Sequence, residues 1–174
     1  NDFFEWNFKL YFIYYIPLNK ATINNQLDIV YYILSKRDSI NDNRFEHSRN
    51  LKRIIIPPSI KSIGIGSFGN CNKLEDVFIS FSTTTIRDFA FYQCKSLKQI
   101  IFPSSLKIIG SKSFYECNSL KKVIIPRSVV KIGDLAFASC NSLEKVVFKN
   151  FSPFLSLEQN AFNNCPHLSE IIVH

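Results

Sequence analysis

Apolar residues recur with a period of 23 residues along most of this chain. A leucine opens each repeat, and a phenylalanine followed three residues later by a cysteine completes its apolar pattern. The opening leucines are Leu51, Leu74, Leu97, Leu120, Leu143 and, after 25 residues, Leu168. The Phe–Cys pairs are Phe68 and Cys71, Phe91 and Cys94, Phe114 and Cys117, Phe137 and Cys140, and Phe162 and Cys165. A period of about 20 to 50 residues is typical of a solenoid, whose stacked coils share one continuous core.

Each repeat contains one predicted β-strand. Counted from the leucine as position 1, positions 4 and 6 are apolar throughout, and a separation of two is the period of a strand. Position 4 is β-branched in every coil, as Ile54, Val77, Ile100, Val123, Val146 and Ile171. Position 6 is Ile56, Ile79, Phe102, Ile125, Phe148 and Val173. Proline suits the end of a strand because it has no N–H to donate, and it follows three of these strands, at Pro57, Pro103 and Pro126.

The second half of each repeat predicts a corner and a ladder. A second set of apolar positions is in register at Ile63, Ile86, Ile109, Ile132 and Leu157. Gly64, Gly110 and Gly133 come directly afterwards, and we predict corners there that need a positive φ. The phenylalanines should stack from coil to coil, with Phe137 buried between Phe114 and Phe162.

The residues of the repeat also resemble a known family. The run Leu120–Ser142, LKKVIIPRSVVKIGDLAFASCNS, is similar to the BspA-like class of leucine-rich repeats, named after a bacterial surface antigen. The resemblance covers 50–174, and Leu74–Ser96 and Leu143–His167 match least well. It implies a repeat solenoid with a parallel β-sheet and 23-residue coils, a role in adhesion or protein binding, and no enzyme activity.

The N-terminal part has a different pattern. Residues 16–41 resemble one ankyrin repeat through Pro17, Leu18, Ala21, Leu27, Asp28, Ile29, Val30, Leu34, Ile40 and Asn41. Leu27, Val30, Tyr31 and Leu34 recur at the three- and four-residue spacing of a helix. We therefore predict a small N-terminal α-helical, ankyrin-like segment, and we interpret the polar residues 38–50 as a linker. The predicted division is 1–50 for this segment and its linker, and 51–174 for the solenoid.

Composition and charge exclude few classes of protein, but they narrow the range of possible functions. The formal net charge is +7, yet basic residues are interspersed with acidic ones along the repeats, which favours solvated faces over a nucleic-acid site. No apolar run reaches the roughly 18 residues of a membrane span, and residues 1–15 lack the basic start of a secretory signal. The chain has no methionine, so we interpret it as a processed chain or a fragment of a longer protein.

The five cysteines are best explained as core residues. Their 23-residue spacing does not fit the local pairs of a zinc site. Neighbouring coils would bring them within disulfide range, but parallel side chains in register point the same way, and five is an odd number. A buried reduced cysteine behaves as a small apolar side chain.

Nothing in the sequence predicts catalysis. His47, His167 and His174 belong to no catalytic constellation, and there is neither a glycine-rich phosphate loop nor an activated nucleophile to name. We therefore predict no enzyme activity, no metal and no cofactor.

The outward face of the strand is the candidate site. Position 5 alternates with the inward positions 4 and 6, yet it is apolar in every coil, as Ile55, Phe78, Ile101, Ile124, Val147 and Ile172. We call this row the apolar ridge. Polar residues border it, and among them we include Lys98, Lys121 and Lys122 in the predicted contact. An apolar strip with a polar rim is typical of a binding surface, although β-branched residues also suit any strand, and another part of the protein could cover the row.

Two functions from different classes follow. The first is a non-catalytic protein-binding module that uses the apolar ridge, with cell-surface adhesion as the role that the family resemblance implies. The second is an intracellular structural scaffold in which the ankyrin-like unit makes the contacts. A protein partner is expected in both cases, and the location is the cell surface in the first and the cytoplasm in the second.

Overall fold

The computed structural model describes the backbone of residues 30–31 and the whole of residues 38–150 and 152–174. These residues form a parallel β-solenoid of about six coils, and none of them is helical. Each full coil has one longer and one shorter strand. The longer strands are β1 (Val30–Tyr31), β3 (Arg53–Ile56), β5 (Asp76–Ile79), β7 (Gln99–Ile101), β9 (Lys122–Ile125), β11 (Lys145–Phe148) and β13 (Glu170–Val173). The shorter ones are β2 (Ser39–Ile40), β4 (Ser62–Ile63), β6 (Thr85–Ile86), β8 (Ile108–Ile109), β10 (Lys131–Ile132) and β12 (Ser156–Leu157).

The two rows of strands form sheets along two sides of the stack. The shorter strands make one six-stranded sheet in the order β12-β10-β8-β6-β4-β2. The longer strands make a four-stranded sheet, β1-β3-β5-β7, and a three-stranded sheet, β13-β11-β9. Between β7 and β9 the described strands form no ladder, and we call this interruption the seam. Every strand pair is parallel and in the register of the repeat, so that Ile54, for example, lies opposite Val77.

The predicted inward positions form the core. Ile54 and Val123 are completely buried, as are Phe68, Phe91, Phe114 and Phe137. The phenylalanine rings stack in register along the solenoid, with centroids 5.1–5.3 Å apart and planes within 10° of parallel. The predicted stack of Phe137 between Phe114 and Phe162 is confirmed. In the last coil Ile171 is 58% exposed, because no further described coil covers its core position.

The third side of each coil is a turn segment with an unusual backbone. From Phe45 to Phe137, the residues two before and two after each stacked phenylalanine have a positive φ angle. Phe89 and Gln93, for example, flank Phe91 with φ of 58° and 55°. This alternation directs every second N–H along the stack. Phe89, Phe91 and Gln93 donate to carbonyls of the next coil at 2.8–2.9 Å. These bonds offset the cost of left-handed residues that are not glycine.

The glycine corners differ from the prediction of a positive φ. Gly64, Gly110 and Gly133 do not lie in the left-handed region, and Gly66 is the only glycine of the described chain that does. A Cβ on Gly110 would stand 2.5 Å from the backbone carbon of Arg87, and one on Gly133 would stand 2.6 Å from the nitrogen of Ser111. Glycine is present here because neighbouring coils approach too closely for a side chain.

The prediction for the N-terminal part needs correction. Val30 and Tyr31, assigned to the ankyrin-like helix, form the strand β1, which pairs with Ile54 and Ile55. Residues 38–50 are not a linker but the second half of a coil, since Ile40 pairs with Ile63 in the short-strand sheet and is buried. Residues 1–29 and 32–37 lie outside the described residues, and so does the rest of the ankyrin-like segment. The ankyrin-like repeat is therefore unsupported.

Candidate functional site

The apolar ridge lies on the outward face of the longer strands, but its members differ in exposure. Ile101 is 60% exposed and Ile124 36%, whereas Val147 is only 7% exposed. Val147 is shielded because it lies in register between the larger Ile124 and Ile172. Ile55, Phe78 and Ile172 are half-buried. The open part of the ridge is therefore its centre, at Ile101 and Ile124.

Charged residues border the ridge and are paired at its two ends. Arg53 Nε lies 2.8 Å from Asp76 Oδ2, and Lys145 pairs with Glu170. The Lys98 ammonium donates a hydrogen bond to Glu75 and so keeps the pKa of that carboxyl below its usual value. The predicted contact residue Lys98 is thus already in an ion pair.

The centre of the border is different. Lys121 and Lys122 are exposed beside Ile124, and no carboxylate of the described chain lies within ion-pair distance of either. The seam runs through the same place, since Ile101 is in β7 and Ile124 is in β9. Exposed apolar side chains, uncompensated positive charge and interrupted pairing thus coincide at one point of the ridge.

The cysteines have a structural role that the sequence did not indicate. Each thiol donates to the carbonyl oxygen of the phenylalanine in the preceding coil. Cys94 Sγ lies 3.1 Å from Phe68 O, and Cys117 Sγ lies 3.3 Å from Phe91 O. Cys71, Cys140 and Cys165 make the same contact. Cysteine thus fills the core and also links successive coils.

The four fully buried thiols should be inert in the folded protein, unlike that of Cys165. Cys71, Cys94, Cys117 and Cys140 are buried, and Cys165, in the last coil, is half-buried. Burial raises the pKa of Cys71 to about 11 and raises the pKa of Cys94 and of Cys117 as well. Since the thiolate is the reactive form, almost none is present near neutral pH.

Thiol labelling with iodoacetamide at pH 8 should therefore separate Cys165 from the other cysteines. We expect Cys165 to be alkylated in the native state because it is partly open, and the remaining four to react only in denaturant. Peptide mass spectrometry would read out each site. Rapid native labelling of Cys94 or Cys117, or a disulfide between neighbouring coils, would contradict the assignment of these thiols to the core.

The other candidate residues form no reactive centre. His167 Nδ1 lies 2.5 Å from the carbonyl oxygen of Asn141, and His47 Nε2 lies 3.7 Å from Glu46 Oε1. Across the described ranges, no three potential metal-ligating side chains come together.

A parallel β-solenoid with one leucine-led strand per coil defines a protein of the leucine-rich repeat class. The sequence matches the BspA type leucine rich repeat region in six copies over residues 38–173. The chain therefore belongs to the BspA-type leucine-rich repeat family. Proteins of this kind are generally non-catalytic binding modules. Comparison with curated proteins gives no match.

Solved structures show the same fold. The leucine-rich repeat protein of T. pallidum is 30% identical, with a TM-score of 0.74 over 86% of this chain and 70% of that one. A leucine-rich repeat protein of Bacteroides ovatus is 29% identical, with a TM-score of 0.68 over 87% of this chain and 46% of that one. A leucine rich cell surface protein of Faecalibacterium prausnitzii is 26% identical, with a TM-score of 0.52 over 77% and 44%. The chain thus spans less than half of the latter two proteins.

Among the residues that the structure describes, none forms a helix that could span a membrane.

Proposed function

We propose that the protein is a non-catalytic protein-binding module, that the centre of the apolar ridge is its contact surface, and that it serves adhesion at the cell surface. The main support for this contact surface is that the exposed Ile101 and Ile124 lie beside Lys121 and Lys122, whose charges are not paired within the described chain. Binding energy concentrates at central side chains that become fully desolvated, and charges at the rim select the partner. The partner surface expected here has an apolar centre and acidic residues beside it.

The location at the cell surface is proposed from the family. The family is named after a surface antigen, and one of the solved relatives is a cell surface protein. Those relations support the surface over the cytoplasm. The scaffold alternative required contacts from the ankyrin-like unit, which is unsupported.

The double substitution Ile101→Lys with Ile124→Lys tests the contact. We expect it to reduce capture of partner proteins from a cell extract by at least about tenfold, because it places charge at the desolvated centre. Stability should change by only about 0.5 kcal/mol, since exposed substitutions usually cost little. Quantitative mass spectrometry of the captured proteins and a urea melt provide the two measurements.

Val130→Lys is the matched control, because Val130 is 37% exposed but lies next to β10 on the short-strand side. It should leave capture unchanged. If the double variant folds and still captures the same proteins, the centre of the apolar ridge is not the contact.

A further inference from the structure

Two outer rows of side chains run along the turn segments, and each is interrupted by a glycine in the same coil. The first row stands two residues before each phenylalanine, and the second stands one residue after it. Successive coils carry Asn43, Gly66, Phe89, Lys112 and Leu135 in the first row and Glu46, Gly69, Tyr92, Tyr115 and Ala138 in the second. The rings of Tyr92 and Tyr115 stack with centroids 5.5 Å apart and planes within 9° of parallel. This aromatic stack ends at Gly69.

The backbone requires neither glycine. Gly66 has a φ of 60°, but Phe89 and Lys112 adopt 58° and 52° at the equivalent positions and carry full side chains. Gly69 is outside the left-handed region, and the nearest backbone atom to a Cβ there would be Gly66 O at 3.3 Å. At Gly110, by comparison, the backbone lies 2.5 Å away. The missing side chain at Gly69 therefore leaves room, whereas the Asn43 side chain already occupies the space beside Gly66.

That room is a cavity of about 250 Å³, which we call the notch. Asn43, Glu46, Gly66, Gly69, Phe89 and Tyr92 line most of it. Sites for whole small molecules usually measure about 300–1,000 Å³. The notch is smaller than that range and has the size of a single inserted side chain.

The chemistry of the notch favours a cation with N–H donors. On one side the Asn43 amide oxygen leans over Gly66, and Glu46 Oε1 would lie 3.7 Å from a Cβ on Gly69. On the other side stand Phe89 and Tyr92, whose rings meet edge to face at 5.8 Å. Phe89 already attracts a cation, since the Lys112 ammonium lies 5.6 Å from its ring centroid.

Tyr115 of the next coil covers one face of the Tyr92 ring, and the preceding coil has Gly69 at the equivalent position on the other side; Tyr92 also lines the notch. Partial burial first, and Glu116 next, raise the pKa of Tyr92, so its phenol is neutral at physiological pH. A flat cation could stack on this ring and reach the Glu46 carboxylate at the same time. An arginine guanidinium combines a plane that stacks on aromatic rings with five N–H donors, enough for a carboxylate and an amide oxygen at once.

We propose that the notch binds the side chain of an arginine presented by a partner protein. The guanidinium stacks on Tyr92 in the place of the absent aromatic rung, and its N–H groups donate to Glu46 and Asn43. A lysine ammonium would pair with the Glu46 carboxylate, but it has no planar group to stack on Tyr92. The site lies on the turn side of the solenoid and is independent of the apolar ridge.

A titration followed by NMR on the ¹⁵N-labelled full chain tests this proposal. The probes are N-acetyl-arginine amide, its uncharged citrulline analogue and N-acetyl-lysine amide. We expect the arginine probe to shift the amide signals of Gly66, Gly69 and Asn70 with a dissociation constant on the order of millimolar. Citrulline and lysine should bind at least about threefold more weakly.

Variants locate the binding. Gly69→Tyr restores the aromatic rung and should abolish the shifts, while Glu46→Gln should lower arginine affinity to the level of citrulline. Glu144→Gln removes an exposed carboxylate on the strand side and should change nothing. Equal binding of arginine and citrulline, shifts that persist in Gly69→Tyr, or no shift at tens of millimolar would each overturn the proposal. If Gly69→Tyr does not fold, the comparison of Glu46→Gln with Glu144→Gln decides.

Discussion

Phe137→Ala is expected to lower the free energy of unfolding by about 3–5 kcal/mol, the usual cost of truncating a buried aromatic side chain. Phe137 is completely buried, and its ring stacks at 5.1 Å on Phe114 and at 5.3 Å on Phe162. Phe102 also contacts it edge to face at 6.4 Å. The cavity cannot collapse easily, because the backbone of the coil is bonded to both neighbours. Urea denaturation followed by circular dichroism measures the loss.

Phe81→Ala is the matched comparison. Phe81 is 75% exposed at a corner, so the same truncation there should change stability by no more than about 0.5 kcal/mol. Equal losses for the two variants would show that the phenylalanine stack does not supply the stability that its burial indicates.

Gly110→Ala is expected to destabilise the protein by about 1–3 kcal/mol or more, the cost of forcing atoms into a well-packed core. Its Cβ would stand 2.5 Å from both the carbonyl carbon of Arg87 and the nitrogen of Asp88. These are backbone atoms, so no side-chain rotation relieves the contact, and two coils must move apart. Thermal and urea denaturation of the variant would measure the effect.

Gly69→Ala serves as the control for this substitution, because its closest neighbour is at 3.3 Å and the next is the flexible side chain of Glu46. We expect a clearly smaller effect there. A Gly110→Ala variant as stable as the parent would mean that the two coils move apart at this corner at little cost.

The core was predictable because a solenoid repeats its inward positions without variation. Positions 4 and 6 and the phenylalanine had to face one interior in every coil, and a register of 23 residues places each beside its equivalent. The position of a residue within the repeat is therefore enough to predict which residues stack on one another. The prolines predicted where three of the strands end. The contacts of the thiols were not predictable, because an apolar pattern does not show that a sulfur donates to a carbonyl.

The first described coil escaped prediction for a physical reason. The turn segment faces solvent at most positions, so a coil needs only a few apolar residues, and here Ile40 and Phe45 supply them. Ser48 replaces the cysteine. The remaining residues are polar and resemble a linker, although the Phe45 ring stacks on Phe68 at 5.2 Å.

Backbone conformation was the least predictable feature. A positive φ at Phe89 or Lys112 opposes the preference of the residue, and the hydrogen bond that each N–H donates to the next coil imposes it. The candidate surface was predictable only in part. Strand alternation gives the direction of a side chain, whereas exposure depends on its neighbours, which is why Val147 and Ile101 differ on the same ridge.

The in-register bonding between coils also has a genetic consequence. Arg53 with Asp76 and Gln93 with Glu116 are pairs separated by one repeat, and the stacked phenylalanines are too. A deletion or duplication of one whole repeat brings an equivalent strand, ring and thiol into the vacated place, so the core contacts stay of the same kind, although surface pairs such as Arg53 with Asp76 change. The length of the apolar ridge can therefore change by one side chain in a single recombination event, while the core remains of the same composition.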